Sequence, residues 1–410
     1  MLDKNKPRKA LTPVADALAA VLAGAQALPE ETVALWDAHH RTLSRDIAAL
    51  RTQPPADMSA MDGYAVRFSD ARKDARLTIV GEAAAGSPAD KTLGAGEAVR
   101  IFTGGVVPPG ADHIVIQENT TRDNDIVVIN ADAAMPRHIR PAGVDFREGD
   151  VLLKKGTRLT DRALSLAASM NHPTLPVHRR PKVALLATGD ELVMPGEHAA
   201  PGQIVFSNAY ALRALAESEG AQIINLGLAR DTLEDTARAV RQAVDARADI
   251  LISTGGASVG DHDVVKRAFE AEGVEMAFWQ IALRPGKPMM NGHLGAMRVI
   301  GVPGNPVSSY VCTFIFGVPL IRALSGRSDV HHVMESAILL HDLPENDHRQ
   351  EYLRARLTVR DDGLEVVSSV GQQDSSLLGN LAAANALIVR VPNAPAAKAG
   401  ERCDVLRLPG

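Results

Sequence analysis

Three polar, glycine-bearing runs each stand directly behind a run of β-forming residues. Thr188-Gly189-Asp190-Glu191 follows Val183 to Ala187, Thr254-Gly255-Gly256-Ala257-Ser258-Val259-Gly260-Asp261-His262-Asp263 follows Ile250 to Ser253, and Pro303-Gly304-Asn305-Pro306-Val307-Ser308 follows Val299 to Val302. Open α/β sheets hold ligands in loops at the carboxyl ends of their strands. In the second run, glycines let backbone N–H groups approach a ligand while the following helix offers its positive end, which suits a phosphate or oxyanion. The same glycines also suit a plain tight turn. The run matches neither GxGxxG nor GxxxxGK[ST], so neither a dinucleotide nor an ordinary nucleoside-triphosphate site follows.

Arg284-Pro285-Gly286-Lys287-Pro288 adds two cations in a loop stiffened by prolines. Such a loop suits a multiply charged anion such as phosphate or molybdate, or else is a solvated surface turn. Asp190, Glu191, Asp231, Asp261 and Asp263 crowd the same edge, where Mg²⁺ could bridge carboxylates to phosphate oxygens. Asp231 is equally placed to cap the helix that follows it. His262 has no second histidine at ligand spacing, which disfavours zinc. Cys312 lies in an apolar helical stretch without a base beside it, as a small core residue would.

The elements that must position these loops begin at Lys182, where strands and helices alternate: Val183 to Ala187, helix Ala209 to Ser218, Ile223 to Leu228, helix Leu233 to Val244, Ile250 to Ser253, helix Val264 to Ala271, Met276 to Leu283, Val299 to Val302 and helix Val307 to Leu324. This alternation predicts a parallel, doubly wound α/β sheet, with Gly220 and Gly273 at helix C-caps. Upstream, Thr12-Pro13 reads as an N-cap and helix start, and the spacing of Leu35, Ala38, His39, Thr42, Leu43 and Ile47 predicts a second helix. Short β runs with a turn at Asp123-Asn124 fill Pro54 to about Arg140, Thr160 to Met170 is amphipathic, and Pro173, Pro176 and Pro181 read as a linker. After Ser325-Gly326 the texture returns to strands. The expected division is a helical unit (1–52 with 140–180), a β-rich insertion (53–139), the α/β domain (181–326) and a C-terminal β domain (327–410).

Composition narrows the class. A formal charge of -5 and 3% aromatic residues fit poorly with neutralising phosphates or stacking bases, so no nucleic acid is expected. Two cysteines without metal-ligand spacing fit a reducing, cytoplasmic compartment. Pro13 and Asp16 interrupt the apolar run that a secretory signal needs, and Tyr310 to Ile321 is too short to span a bilayer, so no membrane association is expected.

Taken together, Ser59-Ala60-Met61-Asp62-Gly63-Tyr64-Ala65, Thr103-Gly104 before Pro108-Pro109-Gly110, Thr188-Gly189-Asp190-Glu191-Leu192, Thr254-Gly255-Gly256 with Ser258-Val259-Gly260, Arg284-Pro285-Gly286-Lys287-Pro288 and Pro303-Gly304-Asn305-Pro306-Val307-Ser308 resemble the molybdopterin molybdenumtransferases of the MoeA type, a family that includes the E domain of gephyrin. The resemblance runs in order from about residue 10 to the end. It implies insertion of molybdenum from molybdate into adenylylated molybdopterin, with AMP released and a divalent cation, Mg²⁺, assisting. It carries substrate binding to Thr188, Gly189, Thr254, Gly255, Gly256, Ser258, Pro303, Gly304, Asn305, Pro306 and Ser308, with Glu191, Asp231 and Asp263 as acidic cleft positions and tentative metal ligands. It implies that Lys287 and Arg284 attract molybdate and the charge that develops as the phosphoanhydride breaks.

The same resemblance implies a homodimer whose cleft is shared between subunits. Asp62 and Thr103 would act across the interface, with Asp145 in the same acidic set. A molybdopterin adenylyltransferase and molybdoenzyme chaperones are the implied partners. Two departures stand out. Asp37-Ala38-His39-His40-Arg41-Thr42-Leu43 replaces the family's Ala then Gly-Arg before Leu. The paired serines expected in the C-terminal domain appear as Gly379-Asn380, with Ser375-Ser376 upstream. Arg354, in Glu351-Tyr352-Leu353-Arg354, matches a basic position there and is expected to contact substrate.

Overall fold

The computed structural model describes residues 11–255 and 264–410. The α/β domain alternates β1 (Lys182–Thr188), α1 (Asn208–Ser218), β2 (Gln222–Ala229), α2 (Leu233–Asp245), β3 (Ile250–Thr254), α3 (Val264–Ala271), β4 (Glu275–Gln280), β5 (Pro288–Leu294), β6 (Met297–Val302) and α4 (Pro306–Leu324). Its six strands lie in the order β2-β1-β3-β6-β5-β4. The first four are mutually parallel, while β5 runs antiparallel to both neighbours. The sheet is therefore mixed, because Gly295 turns β5 tightly back into β6 with a positive φ that a two-residue reversal favours. The sequence reading passed over β5.

Successive residues of β1 explain the double winding. Val183 and Leu185 pack with Leu212 and Leu215 of α1 and with α4, whereas Ala184 and Leu186 pack with Val240 and Ala243 of α2 and Phe269 of α3. A strand buried on both faces needs this continuous apolar run. Helix α4 starts on Pro306, pre-organised for a first turn, and passes through a π segment at Thr313–Gly317. It is long and apolar enough to cross a membrane, yet 83% of it is buried inside the protein, which marks it as the central core helix.

The N-terminal unit departs from the sequence reading. The first helix spans Val14–Leu22 with Pro13 at its cap, and Thr12 instead forms a bridge to Ile281. No helix forms over residues 35–47. The strand Glu30–Ala34 runs into a single 3-10 turn, Leu35–Asp37, and an irregular stretch with His40 at φ 61°. Ala38, Leu43 and Ile47 do reach the core, but they do so beside Leu175 and Val177. The backbone there bonds Ser44 N–H to the Pro176 carbonyl and His178 N–H to that of Thr42. Tertiary pairing thus overrides a three-to-four spacing. The proline-marked segment is no linker either, since Thr174–His178 pairs antiparallel with Glu30–Ala34.

Residues 63–129 fold into a six-stranded sheet, with Asn124 at φ 56° in the expected hairpin turn. The C-terminal strand Gln350–Val359 pairs with Glu365–Ser369 on one side and Ala386–Arg390 on the other, closing a barrel through Glu335–Leu339 and Arg402–Arg407. Leu283–Arg284 joins this barrel in parallel alongside Gln350–Glu351. At the last turn of α1, buried Glu219 takes both Arg322 (2.7 and 2.9 Å) and Arg327, and Arg158 of the N-terminal unit donates to the neighbouring Ser218 carbonyl. Nearby, His332 Nε2 donates to the Phe314 carbonyl (2.7 Å).

Candidate active site

The registers Ala187 to Thr254 and Thr254 to Val302 bring the carboxyl ends of β1, β3 and β6 level with one another. A cleft of about 590 Å³ opens above them, walled by Thr188, Gly189 and Glu191, by Thr254 and Gly255, and by Pro303, Gly304, Asn305 and Pro306. Described residues of all three runs singled out in the sequence therefore converge, Thr254 and Gly255 standing for the second. Gly255 is required there: its φ is +90°, and a Cβ would stand 2.3 Å from the Thr188 carbonyl oxygen. That contact holds the β1 and β3 loops closer than any side chain allows.

The cleft also receives the N-terminus of α1 through Ser207 and Asn208. Ser207 makes no side-chain cap, so the first amides of α1 keep donor capacity toward an anion. Asn208 Nδ2 donates to the Gly304 carbonyl at 2.7 Å, locking the proline loop to that helix. The Thr188 hydroxyl is buried among the residues that line the cleft and bonds toward the Asp231 carboxyl, which lowers that carboxyl's pKa against the stronger upward push of burial. The far wall comes from the C-terminal domain as Ser376 and Leu378. Asn305 Nδ2 donates to Ser375 Oγ (3.0 Å) and Val307 N–H to the Ser375 carbonyl (3.1 Å), which fastens that domain to the start of α4.

Acidic groups gather on one side. Burial pushes the Asp231 carboxyl above the usual carboxylate range, and the charges of Asp190 and Glu191 push it further. Helix α2 is capped by Thr232, whose hydroxyl accepts from Asp235 N–H (3.2 Å). Asp231 is thus not spent as a cap. An oxygen-only donor set with mutual repulsion suits a hard cation such as Mg²⁺. Among the described residues, however, no group of three His, Cys, Asp or Glu side chains is gathered to hold a metal. Asp263, the third tentative ligand, lies outside the described residues, as do Gly256 and Ser258.

Other expected residues stand elsewhere. Asp62 and Thr103 pair on the inserted sheet, where Asp62 Oδ1 accepts from Thr103 N–H (2.7 Å) and Oγ1 (2.8 Å). The Thr103 amide and hydroxyl hold the Asp62 carboxyl below its ordinary pKa, so it stays ionised. Asp145 is exposed and bonded through its backbone to Gln53. None of these three lines the cleft of the same chain.

Arg284 is ion-paired with Glu351 of the barrel at 3.2 Å, and Lys287 is exposed. Neither lines the cleft, which the neighbouring Pro288 reaches. Ser308 is 4% exposed in the first turn of α4, not on the cleft surface. Arg354, expected to contact substrate, stands behind the cleft wall. At 1% exposure it is buried beneath the 372–376 loop, donating from Nη2 to the carbonyls of Gln372 (3.3 Å) and Asp374 (2.9 Å). It shapes the far wall and does not line it.

Ser207, Asn208 and Leu378 escaped the sequence reading, and Ser376 was noted there only as lying upstream of the expected serine pair. A Ser-Asn pair just ahead of a periodic apolar run was the available signal for the first two. The others come into the cleft only through docking of the barrel, which no local pattern reports.

The family models match in chain order: MoeA N-terminal region (domain I and II) over residues 12–171, a probable molybdopterin binding domain over 184–323, and MoeA C-terminal region (domain IV) over 336–408. The chain is 35% identical to the molybdopterin molybdenumtransferase of Haemophilus influenzae across 92% of its own length and 93% of that relative. It is 34% identical to the enzyme of that name from Bacillus subtilis, across 99% and 95%. A crystal structure of the molybdopterin biosynthesis MoeA protein from Pyrococcus horikoshii superposes with a TM-score of 0.82 at 26% identity, covering 97% of this chain and all of that one.

Proposed function

The chain belongs to the MoeA family of molybdopterin molybdenumtransferases, and from that premise we propose how its cleft carries out the insertion of molybdenum into molybdopterin. The substrate form is adenylylated molybdopterin, and molybdate supplies the metal. The observation that carries this reading is the convergence of three strand ends and the uncapped start of α1 on one cleft of about 590 Å³. Phosphate oxygens lie against the α1 amides and the Gly255 backbone.

Catalysis here is positioning and electrostatics. Attack of a water or molybdate oxygen on the phosphoanhydride phosphorus breaks the P–O–P bridge and releases AMP, while Lys287 and Arg284 attract molybdate and offset the charge that develops on the leaving phosphate. Glu191 and Asp231, with Asp263, would hold Mg²⁺, which would supply Lewis-acid charge neutralisation.

Asp62 and Thr103 complete the cleft of a partner subunit in a homodimer, with Asp145 beside them. The protein works in the cytoplasm, between a molybdopterin adenylyltransferase that supplies its substrate and chaperones or enzymes that take its product.

The test is AMP release from purified protein given adenylylated molybdopterin and Mg²⁺, with and without molybdate, followed by reconstitution of an apo-molybdoenzyme. Molybdate-dependent release with active cofactor supports the reading, and tight binding without release refutes it. Subunit sharing is tested by mixing inactive Asp62→Ala and Asp231→Ala proteins. Random exchange places both changes in one cleft of each hybrid dimer and restores about a quarter of wild-type activity, given isologous C₂ symmetry. No recovery after verified exchange means that each cleft belongs to one chain.

A further inference from the structure

Beside the cleft, and sharing Phe206 with it, a second cavity of about 310 Å³ opens between α1 and β2. That volume is at the low end of the roughly 300–1,000 Å³ typical of small-molecule sites. Its walls are mainly apolar, and its mouth carries Tyr210, 53% exposed, with its ring 6.1 Å from that of Phe206 and tilted by 56°. At the polar end are the Arg213–Glu217 ion pair (2.9 Å) and Asn225.

The strand bordering this cavity is irregular at the same place. The β1–β2 register slips between Leu185 and Leu186, so that Asn225 and Gly227 pair with consecutive residues and Leu226 is passed over. Asn225 Oδ1 accepts from Gly227 N–H at 3.0 Å, and Gly227 takes φ +75°. Bulges of this kind re-aim side chains and collect beside active sites. With its oxygen tied down, the Asn225 amide nitrogen has no partner among the described residues. An exposed aromatic, an apolar slot and a polar edge with spare donors and acceptors thus stand next to the phosphate-binding cleft.

We infer that this cavity receives a flat nitrogen heterocycle at one end of the substrate, stacked on Tyr210 and Phe206 with its edge on Glu217 and Asn225. The inference rests on the transferase reading, since it requires phosphates seated in the neighbouring cleft. Two ends of adenylylated molybdopterin share the chemistry. A pterin edge presents adjacent N–H donors that the Glu217 carboxylate accepts, whereas an adenine edge alternates donor and acceptor and matches the Asn225 amide.

The experiment measures Kd of the full-length protein for two probes separately, AMP by equilibrium dialysis and pterin-6-carboxylate by fluorescence anisotropy. Variants are Tyr210→Ala, Tyr210→Phe and Glu217→Gln, with Tm confirming that each is folded. Tyr210→Ala weakens one probe about tenfold, the scale of a single aromatic–base stack, and Tyr210→Phe restores it. Loss on the pterin probe, deepened by Glu217→Gln, assigns the pterin end; loss on AMP with Glu217→Gln silent assigns adenine. Unchanged Kd for both probes in Tyr210→Ala, or binding of neither by wild type, overturns the inference. The transferase reading is judged apart from this, by molybdate-dependent cofactor formation in the wild-type protein.

Discussion

Replacing Arg354 by methionine separates a residue that shapes the cleft from one that touches substrate. In the folded protein the guanidinium gives two hydrogen bonds to carbonyls of the 372–376 loop, and hydrogen bonds from a charged donor are worth about 1.5–3 kcal/mol each. Against this stands the cost of burying the charge, several kcal/mol per ion after relaxation. Burial also pulls the Arg354 pKa below its ordinary value, and its Nε finds no partner among the described residues. The two terms nearly cancel, so Arg354→Met changes global stability by no more than about 2 kcal/mol, methionine filling the volume.

The local effect of that substitution is larger. The loop loses its brace, and re-ordering a few residues on binding costs about 1–2 kcal/mol each. KM for the pterin substrate then rises about ten- to a hundredfold, at roughly 1.4 kcal/mol per decade. Denaturant unfolding, steady-state kinetics and amide exchange over residues 370–378 measure the three quantities. Unchanged exchange and KM would refute the reasoning. A collapse of kcat with the loop still protected would instead place the guanidinium on the substrate.

Three further outcomes are expected. Gly255→Ala forces a Cβ to 2.3 Å from the Thr188 carbonyl at a left-handed φ, which costs at least about 1–2 kcal/mol and displaces the β3 loop; a Tm and turnover equal to wild type would sink the account of that contact. Asp231→Asn removes a carboxyl whose pKa is raised in the folded protein, so the folded state resists ionisation and loses stability as pH rises through that pKa. The variant therefore has a slightly higher Tm than wild type at pH 7, the same Tm near pH 3, and little activity. His332 is pushed down from 6.5 to about 4 by burial. The unfolded chain takes up a proton first as pH falls from 6.5 to 4, and up to about 3 kcal/mol of stability disappears across that window, at 1.36 kcal/mol per unit. His332→Gln flattens that part of the stability profile, and an unaltered slope would assign the acid sensitivity to other groups.

The α/β domain was legible because its strands are buried on both faces and its helices carry one apolar stripe each. Val264–Ala271 forms as the spacing indicates, and Ile250–Thr254 ends one residue beyond the expected strand. The reading failed where partners far along the chain decide the backbone. Leu43 and Ile47 have helical spacing, but the strand at Thr174–His178 offers their backbone a better set of bonds. Strand β5 was missed because Pro288 opens it and its Met-Met-Asn-Gly texture lacks β-branched residues. In the site, residues that follow a strand directly were found from order alone. Ser376 was not, since its place depends on Ser375 meeting Asn305 across domains. Arg354 shows the converse: a cation expected at the substrate lies behind the wall and bonds the 372–376 loop.

The pairing of Leu283–Arg284 with Gln350–Glu351 has a mechanical consequence. The segment that leaves the α/β sheet toward the Lys287 loop is sewn into the barrel before it returns as β5, while the barrel's own 372–378 segment leans back over the cleft. Each domain holds a strap belonging to the other. A chain ended after α4 would not be a smaller transferase with an open side: it would lose the wall and slacken the cationic loop at one stroke, and the two failures would be inseparable in any truncation series.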